Sequence, residues 1–184
     1  MRETAKRPVV LMLRLIWNHE CVPLNLHGFK DTYIDPEPEY PSGRKGLVIA
    51  RQWKQLSEDA VGLVLLDGDV VIDPYDNAVM GDAVTAEPAA VHVAPVKIWP
   101  RSTKYDGWRW GHGVDGYTQQ GVEIINTFTF NFTYLPRELV DICILNGMEE
   151  WTYPHVDRNV VKLAQAIPTP VRLVQGIEAK HVNF

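Results

Sequence analysis

The chain has 184 residues, 46% of them hydrophobic and 22% charged, with a formal net charge of −5. These are the proportions of a soluble globular protein able to bury a sizeable core, and they predict one domain over 1–184. The acidic balance argues against a nonspecific nucleic-acid binder working by bulk charge. Two cysteines, Cys21 and Cys143, have neither metal-ligand nor redox spacing. They predict free, buried thiols in a reducing compartment.

From the N-terminus, the apolar run Pro8 to Trp17 is interrupted by Arg14 and is too short to span a bilayer. No small-residue cleavage pattern follows it, so it predicts a first strand over Val9 to Ile16 and a cytoplasmic protein without a membrane span. His19 then reads as a solvated turn histidine. Residues 21–43 are loop-rich, broken by prolines, glycines and Ser42, with a short extended piece around Tyr33-Ile34. Ser42 can cap a helix over Arg44 to Leu56, whose Ile49, Trp53, Leu56 and Ala60 recur on one face toward a sheet. Lys45 and Arg51 read as its solvated basic side. Arg44, at the helix N-terminus where anions are favoured, is a phosphate-contact candidate.

The stretch Val61 to Leu66 is continuously apolar and breaks into Asp67-Gly68-Asp69. A buried strand ending in acids places them at the carboxyl edge of a sheet, where α/β folds collect ligands. The intervening glycine lets the backbone turn so that both carboxylates can converge on one cation or one ribose. A strand running out into a solvated turn is the plainer reading of the same residues. Asp73-Pro74 then caps a helix running to about Ala86. Val91 to Ile98 predicts another strand, buried on both faces.

Residues 99–121 predict a flexible aromatic and basic loop. Arg101, Lys104, Trp108, Arg109 and Trp110 interleave among glycines, and flat rings beside cations suit sugars, nucleobases or phosphates. A surface flap with its tryptophans packed on the domain fits equally. Alternation predicts one long strand over Val122 to Tyr134, with Val122, Ile124, Phe128, Phe130, Phe132 and Tyr134 on the buried side. Pro136 opens a helix with Leu139, Val140, Cys143 and Ile144 on one face, stopped by Gly147. A second aromatic cluster, Trp151, Tyr153 and His155, precedes Asp157 and a helix carrying Val156, Val160, Leu163, Ala164 and Ile167. Val171 to Val174 reads as the last strand, and the tail carries His181.

The order of a basic helix over Arg44 to Leu56, a strand ending Asp67-Gly68-Asp69, Asp157 ahead of a helix and His181 near the end resembles the GT-A nucleotide-sugar glycosyltransferases. The likeness is to family 2-like members in a short form similar to those of bacteriophages, and it covers about residues 44 to 184. It implies an α/β, Rossmann-like three-layer sandwich with a mostly parallel mixed central sheet. It also implies a hexosyltransferase, inverting at the anomeric carbon, that takes a nucleotide sugar, foremost a UDP-sugar. By the resemblance, Asp69, Asp67 and His181 hold Mn²⁺ or Mg²⁺, with Asp67 also reaching the ribose or sugar, and Asp157 is the catalytic base. Arg44, Arg101, Trp108 and Trp110 then fall to the donor, and Trp151, Tyr153 and His155 to the acceptor. That acceptor is a modified DNA base, a phage or bacterial protein, or a glycan; the oligomeric state is open.

Two other readings fit the residues. Asp67-Gly68-Asp69-Val70-Val71 also resembles the opening motif of haloacid-dehalogenase-like phosphatases, in which Asp67 would be the nucleophile. That family needs a later lysine and a paired-acid motif, and neither is evident after residue 90. A non-catalytic sugar- or nucleotide-binding domain is the third reading.

Overall fold

The apolar run before Asp67 becomes β3 (Gly62–Asp67), an inner strand of a six-stranded sheet buried on both faces. A computed structural model describes residues 10–15, 32–35, 44–55, 59–68, 70–95, 97–99, 115–119, 122–152, 155–177 and 179–182. Ahead of β3 come β1 (Val10–Leu15), β2 (Thr32–Asp35) and α1 (Lys45–Gln55). After it come β4 (Val70–Val71), α2 (Pro74–Ala86), β5 (Val91–Val93), β6 (Lys97–Trp99), β7 (Asp115–Gln119), β8 (Val122–Thr127) and β9 (Phe132–Pro136). The chain continues through α3 (Arg137–Leu145), a 3-10 turn at Met148–Glu150, α4 (His155–Ala166), β10 (Val171–Leu173) and β11 (Lys180–Val182).

The large sheet has the order β10-β5-β9-β3-β1-β2. Its neighbours pair in parallel except at β9, which runs antiparallel to both β3 and β5. Side-chain alternation then sorts the core into two layers. Leu11, Leu13, Leu15, Leu63 and Leu65 pack with Ile49 and Trp53 of α1, Leu139, Val140 and Cys143 of α3, and Val156, Val160 and Ala164 of α4. Met12, Val64 and Leu66 pack on the opposite face with Met80 and Val84 of α2 and with Val70, Ile177 and Ala179. A small second sheet, β4-β11-β6, contributes Val70 to that second layer, and β7 and β8 form an antiparallel ribbon.

Local chemistry explains several boundaries. Asp73 Oδ1 accepts from the Asp76 amide at 2.8 Å while Asp76 Oδ2 accepts from the Asp73 amide at 3.0 Å. This reciprocal box, with Pro74 in the first turn, starts α2 where the sequence places it. Gly147, at φ 83°, takes the left-handed conformation that ends α3. The Cys143 thiol is free and buried in the first core layer, and burial pushes its pKa up to about 12. Cys21 lies outside the described residues.

Two predicted strands are subdivided. The run 91–98 gives β5 in the large sheet and β6 in the small one. The run 122–134 is broken: β8 pairs with β7, β9 pairs with β3 and β5, and residues 128–131 lie between. The predicted single buried side does not hold, because Phe128 and Phe130 enter the first core layer whereas Phe132 and Tyr134 enter the second. A turn at Phe130 and Asn131 switches the face. Within 99–121, read as a loop, Trp99 ends β6 and residues 115–119 form β7. The chain also does not end its strands at β10, since β11 follows.

Candidate functional site

Two elements of the first face reach the carboxyl edge of β3. Because Asp67 follows Leu63 and Leu65 on that face, its carboxylate points toward α1 and α4 rather than toward α2. The turn after it is tied down by hydrogen bonds. The Asp67 amide donates to the Asn131 carbonyl at 3.1 Å, and the Gly68 amide donates to the Leu15 carbonyl at 2.6 Å. From β1, Arg14, only 1% exposed, donates through Nη2 to the Gly68 carbonyl at 2.8 Å.

Lys45 enters from the first turn of α1. Its side chain is 5% exposed, and Nζ donates to Asp67 Oδ1 at 2.9 Å. The same ammonium lies 3.9 Å from Asp157 Oδ1 at the start of α4, and 5.2 Å from the centre of the Phe130 ring. Asp157 Oδ2 accepts from the Phe130 amide at 3.3 Å. One buried cation thus stands between two carboxylates that remain about one-fifth exposed, 19% for Asp67 and 20% for Asp157. A buried charge is tolerated only when paired, and Lys45 is paired with both carboxylates.

Gly46 explains how Lys45 gets so deep. A Cβ at that position would run into the carbonyl oxygens of Met148 and Trp151, so the first turn of α1 sits directly against the turn that leads into α4. Only glycine permits that approach. The contact brings the lysine of one helix to the aspartate of the other.

Burial raises the pKa of Asp157 above its ordinary 3.8, and the nearby Asp67 charge adds to the rise. Lys45 and the Phe130 amide oppose it. The carboxyl is therefore held closer to neutrality than a surface aspartate, the condition under which a carboxylate becomes a better proton acceptor.

Asp67 and Asp157, assigned separately from sequence, thus meet at one point. Arg44 is exposed and immediately precedes α1, its carbonyl accepting from the Val48 amide at 3.2 Å. Trp151 is half-buried and packs against the first core layer, and His155 is exposed at the first position of α4. His181 is in β11, whose antiparallel register sets it opposite Val70, the residue after Asp69. Asp69, Arg101, Trp108, Trp110 and Tyr153 lie outside the described residues. Among the described residues no three histidine, cysteine or acidic residues form a metal-binding group.

Lys45 is the correction. Its expected place on a solvated basic side gives way to the centre of the cluster, because Gly46 draws that turn inward. Arg14, the Phe130 amide and the Asn131 carbonyl were also not singled out from sequence. The one available signal was Lys45-Gly46 itself, since a glycine in the first turn of a helix costs stability unless a neighbour approaches it closely.

No protein-family model matches the chain, and no curated protein matches it by sequence. Solved structures do. GalNAc-T7, crystallised with UDP, GalNAc and Mn²⁺, superposes with a TM-score of 0.59 at 9% identity over 97% of this chain and 44% of its own. A197 from STIV gives 0.51 at 12% identity, over 95% and 86% of the two chains. A glycosyltransferase involved in glycosylating the major capsid of PBCV-1 gives 0.50 at 14% identity, over 95% and 93%.

The fold is GT-A. At these identities the likeness concerns the fold, and this chain spans less than half the length of GalNAc-T7. The GT-A architecture nevertheless gives the cluster a context: it lies at the carboxyl edge of the inner parallel strands, where open α/β sheets bind ligands.

Proposed function

We propose that the protein is a glycosyltransferase of the hexosyltransferase type that moves a sugar from a nucleotide-diphosphate donor to an acceptor hydroxyl with inversion. The observation that carries the proposal is the approach of Asp67 and Asp157 to one ammonium at the carboxyl edge of a GT-A sheet. Asp67 is the donor-side carboxylate and Asp157 the acceptor-side base. The cluster gives them different settings, since Asp67 is in direct contact with Lys45 and Asp157 is held at a greater distance with a raised pKa.

In this reading Asp157 Oδ1 or Oδ2 takes the acceptor hydroxyl proton as the new glycosidic bond forms. The oxygen joining sugar to diphosphate leaves with its bonding electrons. A positioned base of this kind contributes typically ~10²–10⁴-fold. The Phe130 amide fixes the carboxylate orientation, and Lys45 restrains it from the other side. Arg44, exposed beside the cluster, supplies positive charge for the diphosphate, with Arg101, Trp108 and Trp110 assigned to the same donor. Trp151, Tyr153 and His155, just ahead of Asp157 in the chain, are assigned to the acceptor.

Asp67, Asp69 and His181 are the residues that would hold a divalent ion of the Mn²⁺ or Mg²⁺ type in this reading. Asp67 offers a partly exposed hard oxygen, and the β11–β4 register brings the His181 backbone beside the segment carrying Asp69. Two carboxylates with an imidazole tilt the choice toward Mn²⁺. Such an ion would offset the charge developing on the leaving diphosphate. The fold likeness to a structure holding UDP, GalNAc and Mn²⁺ supports a UDP-sugar as the first donor to try. The phosphatase reading loses ground, because the ammonium beside Asp67 comes from Lys45, ahead of the strand rather than after it.

Thermal-shift screening against UDP-, GDP-, CDP- and TDP-sugars, with and without Mn²⁺, tests the donor site. Stabilisation by one nucleotide series in the presence of Mn²⁺ is expected. No stabilisation by any of them, together with turnover of p-nitrophenyl phosphate, would overturn the reading.

A further inference from the structure

β1 and β3 end together, Leu15 standing opposite Asp67, so Gly68 lies one residue beyond their last strand pair. It is buried all the same, and the last two residues of β1 meet both of its main-chain polar groups. The Gly68 amide donates to the Leu15 carbonyl at 2.6 Å, and its carbonyl accepts from Arg14 Nη2 at 2.8 Å. Buried carbonyls are nearly always partnered, and here the guanidinium supplies the donor. It does so from the face opposite the cluster. Arg14 stands opposite Leu66 in the register and alternation puts it on the side of Met12, whereas Lys45 holds the Asp67 carboxylate from α1.

Arg14 is 1% exposed on the face where Met12, Val64 and Leu66 build an apolar layer. Taking a charge out of water is expensive, and a well-packed apolar side chain in its place is often neutral or stabilising. What an apolar side chain cannot supply is a directed, charge-assisted donor on the Gly68 carbonyl. Glycine restrains its own main chain least of all residues, so a turn at Gly68 keeps one shape only if held from outside. We infer that Arg14 is a positioning residue for the donor, locking Gly68 so that the turn after β3 keeps the Asp67 carboxylate aimed at the sheet edge. This rests on the glycosyltransferase reading of the site and adds to it a buried residue outside the donor and acceptor contacts. The turn is held twice, at its main chain from the second face and at the Asp67 side chain from the first. Without Arg14 the Lys45–Asp67 pair remains, but the main chain beneath it loses its anchor.

Amide exchange reads the anchor directly. In Arg14→Met the Gly68 amide should exchange about tenfold or more faster relative to the Leu63 and Leu65 amides inside β3, because the turn opens locally while the strand does not. Titration with whichever of the UDP-, GDP-, CDP- and TDP-sugars stabilises the unaltered protein reads the consequence. Donor affinity of the folded Arg14→Met protein should fall by about tenfold or more, since a misplaced carboxylate no longer meets the donor. Gly62→Ala, a destabilising change in the same strand but at its other end, should hold donor affinity within about threefold, so lost stability alone does not imitate the effect. Arg14→Gln, whose shorter amide falls short of Gly68, should behave as Arg14→Met does and replaces it if the methionine variant does not fold. Gly68 exchange that keeps pace with the interior of β3, or unchanged donor affinity in the folded variant, overturns the inference and leaves the donor site intact. Failure of all four nucleotide sugars to stabilise the unaltered protein overturns the donor-site reading and the inference with it.

Discussion

The two ends of β3 are built on opposite principles. At its amino end, polar groups close on one another. Arg137 Nε donates to the Ala60 carbonyl at 2.7 Å, and the Arg137 amide donates to Val61 at 2.9 Å. The buried Tyr134 hydroxyl lies within reach of the Val61 and Pro88 carbonyls, at 3.1 and 2.9 Å. Gly62 leaves no room for a side chain against the Tyr134 hydroxyl and the Leu135 carbonyl. The carboxyl end carries instead charged side chains, the buried Lys45 ammonium between two part-exposed carboxylates and the buried Arg14 guanidinium on the Gly68 carbonyl. A strand end whose carbonyls are met by side-chain and backbone donors serves the fold. One with part-exposed carboxylates at a ligand-binding edge is available for a ligand or a proton.

Substitutions at the two ends should therefore fail differently. Apart from loss of Asp157 itself, the largest effect is expected from Gly46→Ala, which pushes α1 from the turn before α4 and shifts Lys45 relative to both carboxylates. A displacement of this kind costs on the order of 10²-fold in turnover, measured as UDP release with donor and acceptor saturating. Gly62→Ala should instead destabilise the fold by about 1–3 kcal/mol in urea unfolding, with kcat of the folded fraction unchanged. Tyr134→Phe removes the hydrogen bond of a buried hydroxyl to the Val61 or Pro88 carbonyl and should cost about 0.5–1.5 kcal/mol, again without a change in kcat. If either amino-end variant lowers kcat in the folded protein, the division between the two ends is wrong.

The smallest effect is one of pH. Burial keeps Asp157 above its ordinary 3.8 in the folded chain, so ionising it costs folded stability. That contribution is neutral below the unfolded value, where both states are protonated, and turns unfavourable as pH rises through the folded value. Asp157→Asn should consequently melt at a higher temperature than the unaltered protein at pH 7, and the gap should close toward pH 3.

The fold was largely legible in sequence because its signals are local. Apolar runs mark β1 and β3, Asp73-Pro74 marks the start of α2, and Gly147 marks the end of α3. Asp67 and Asp157 were legible as acids at a strand end and a helix start. Their shared partner was not, because a lysine in a first helical turn is ordinarily solvated and only the packing of Gly46 turns it inward. Alternation through 122–134 likewise masked the turn at Phe130 and Asn131, since aromatic residues continue at the same spacing on both sides of it. That turn supplies the amide to Asp157 and the carbonyl to the Asp67 amide. The sequence pattern misleads where the backbone departs from regular structure to build a site.

The most direct test of the account is Asp157→Asn, assayed for donor binding and for transfer in the same preparation. The substitution keeps an oxygen able to accept from the Phe130 amide and removes the proton acceptor. UDP-sugar affinity with Mn²⁺ should stay within about threefold, a change worth less than 1 kcal/mol, while transfer falls by ~10²–10⁴-fold. Transfer at the unaltered rate would remove Asp157 from the mechanism and contradict the central claim that this cluster is catalytic.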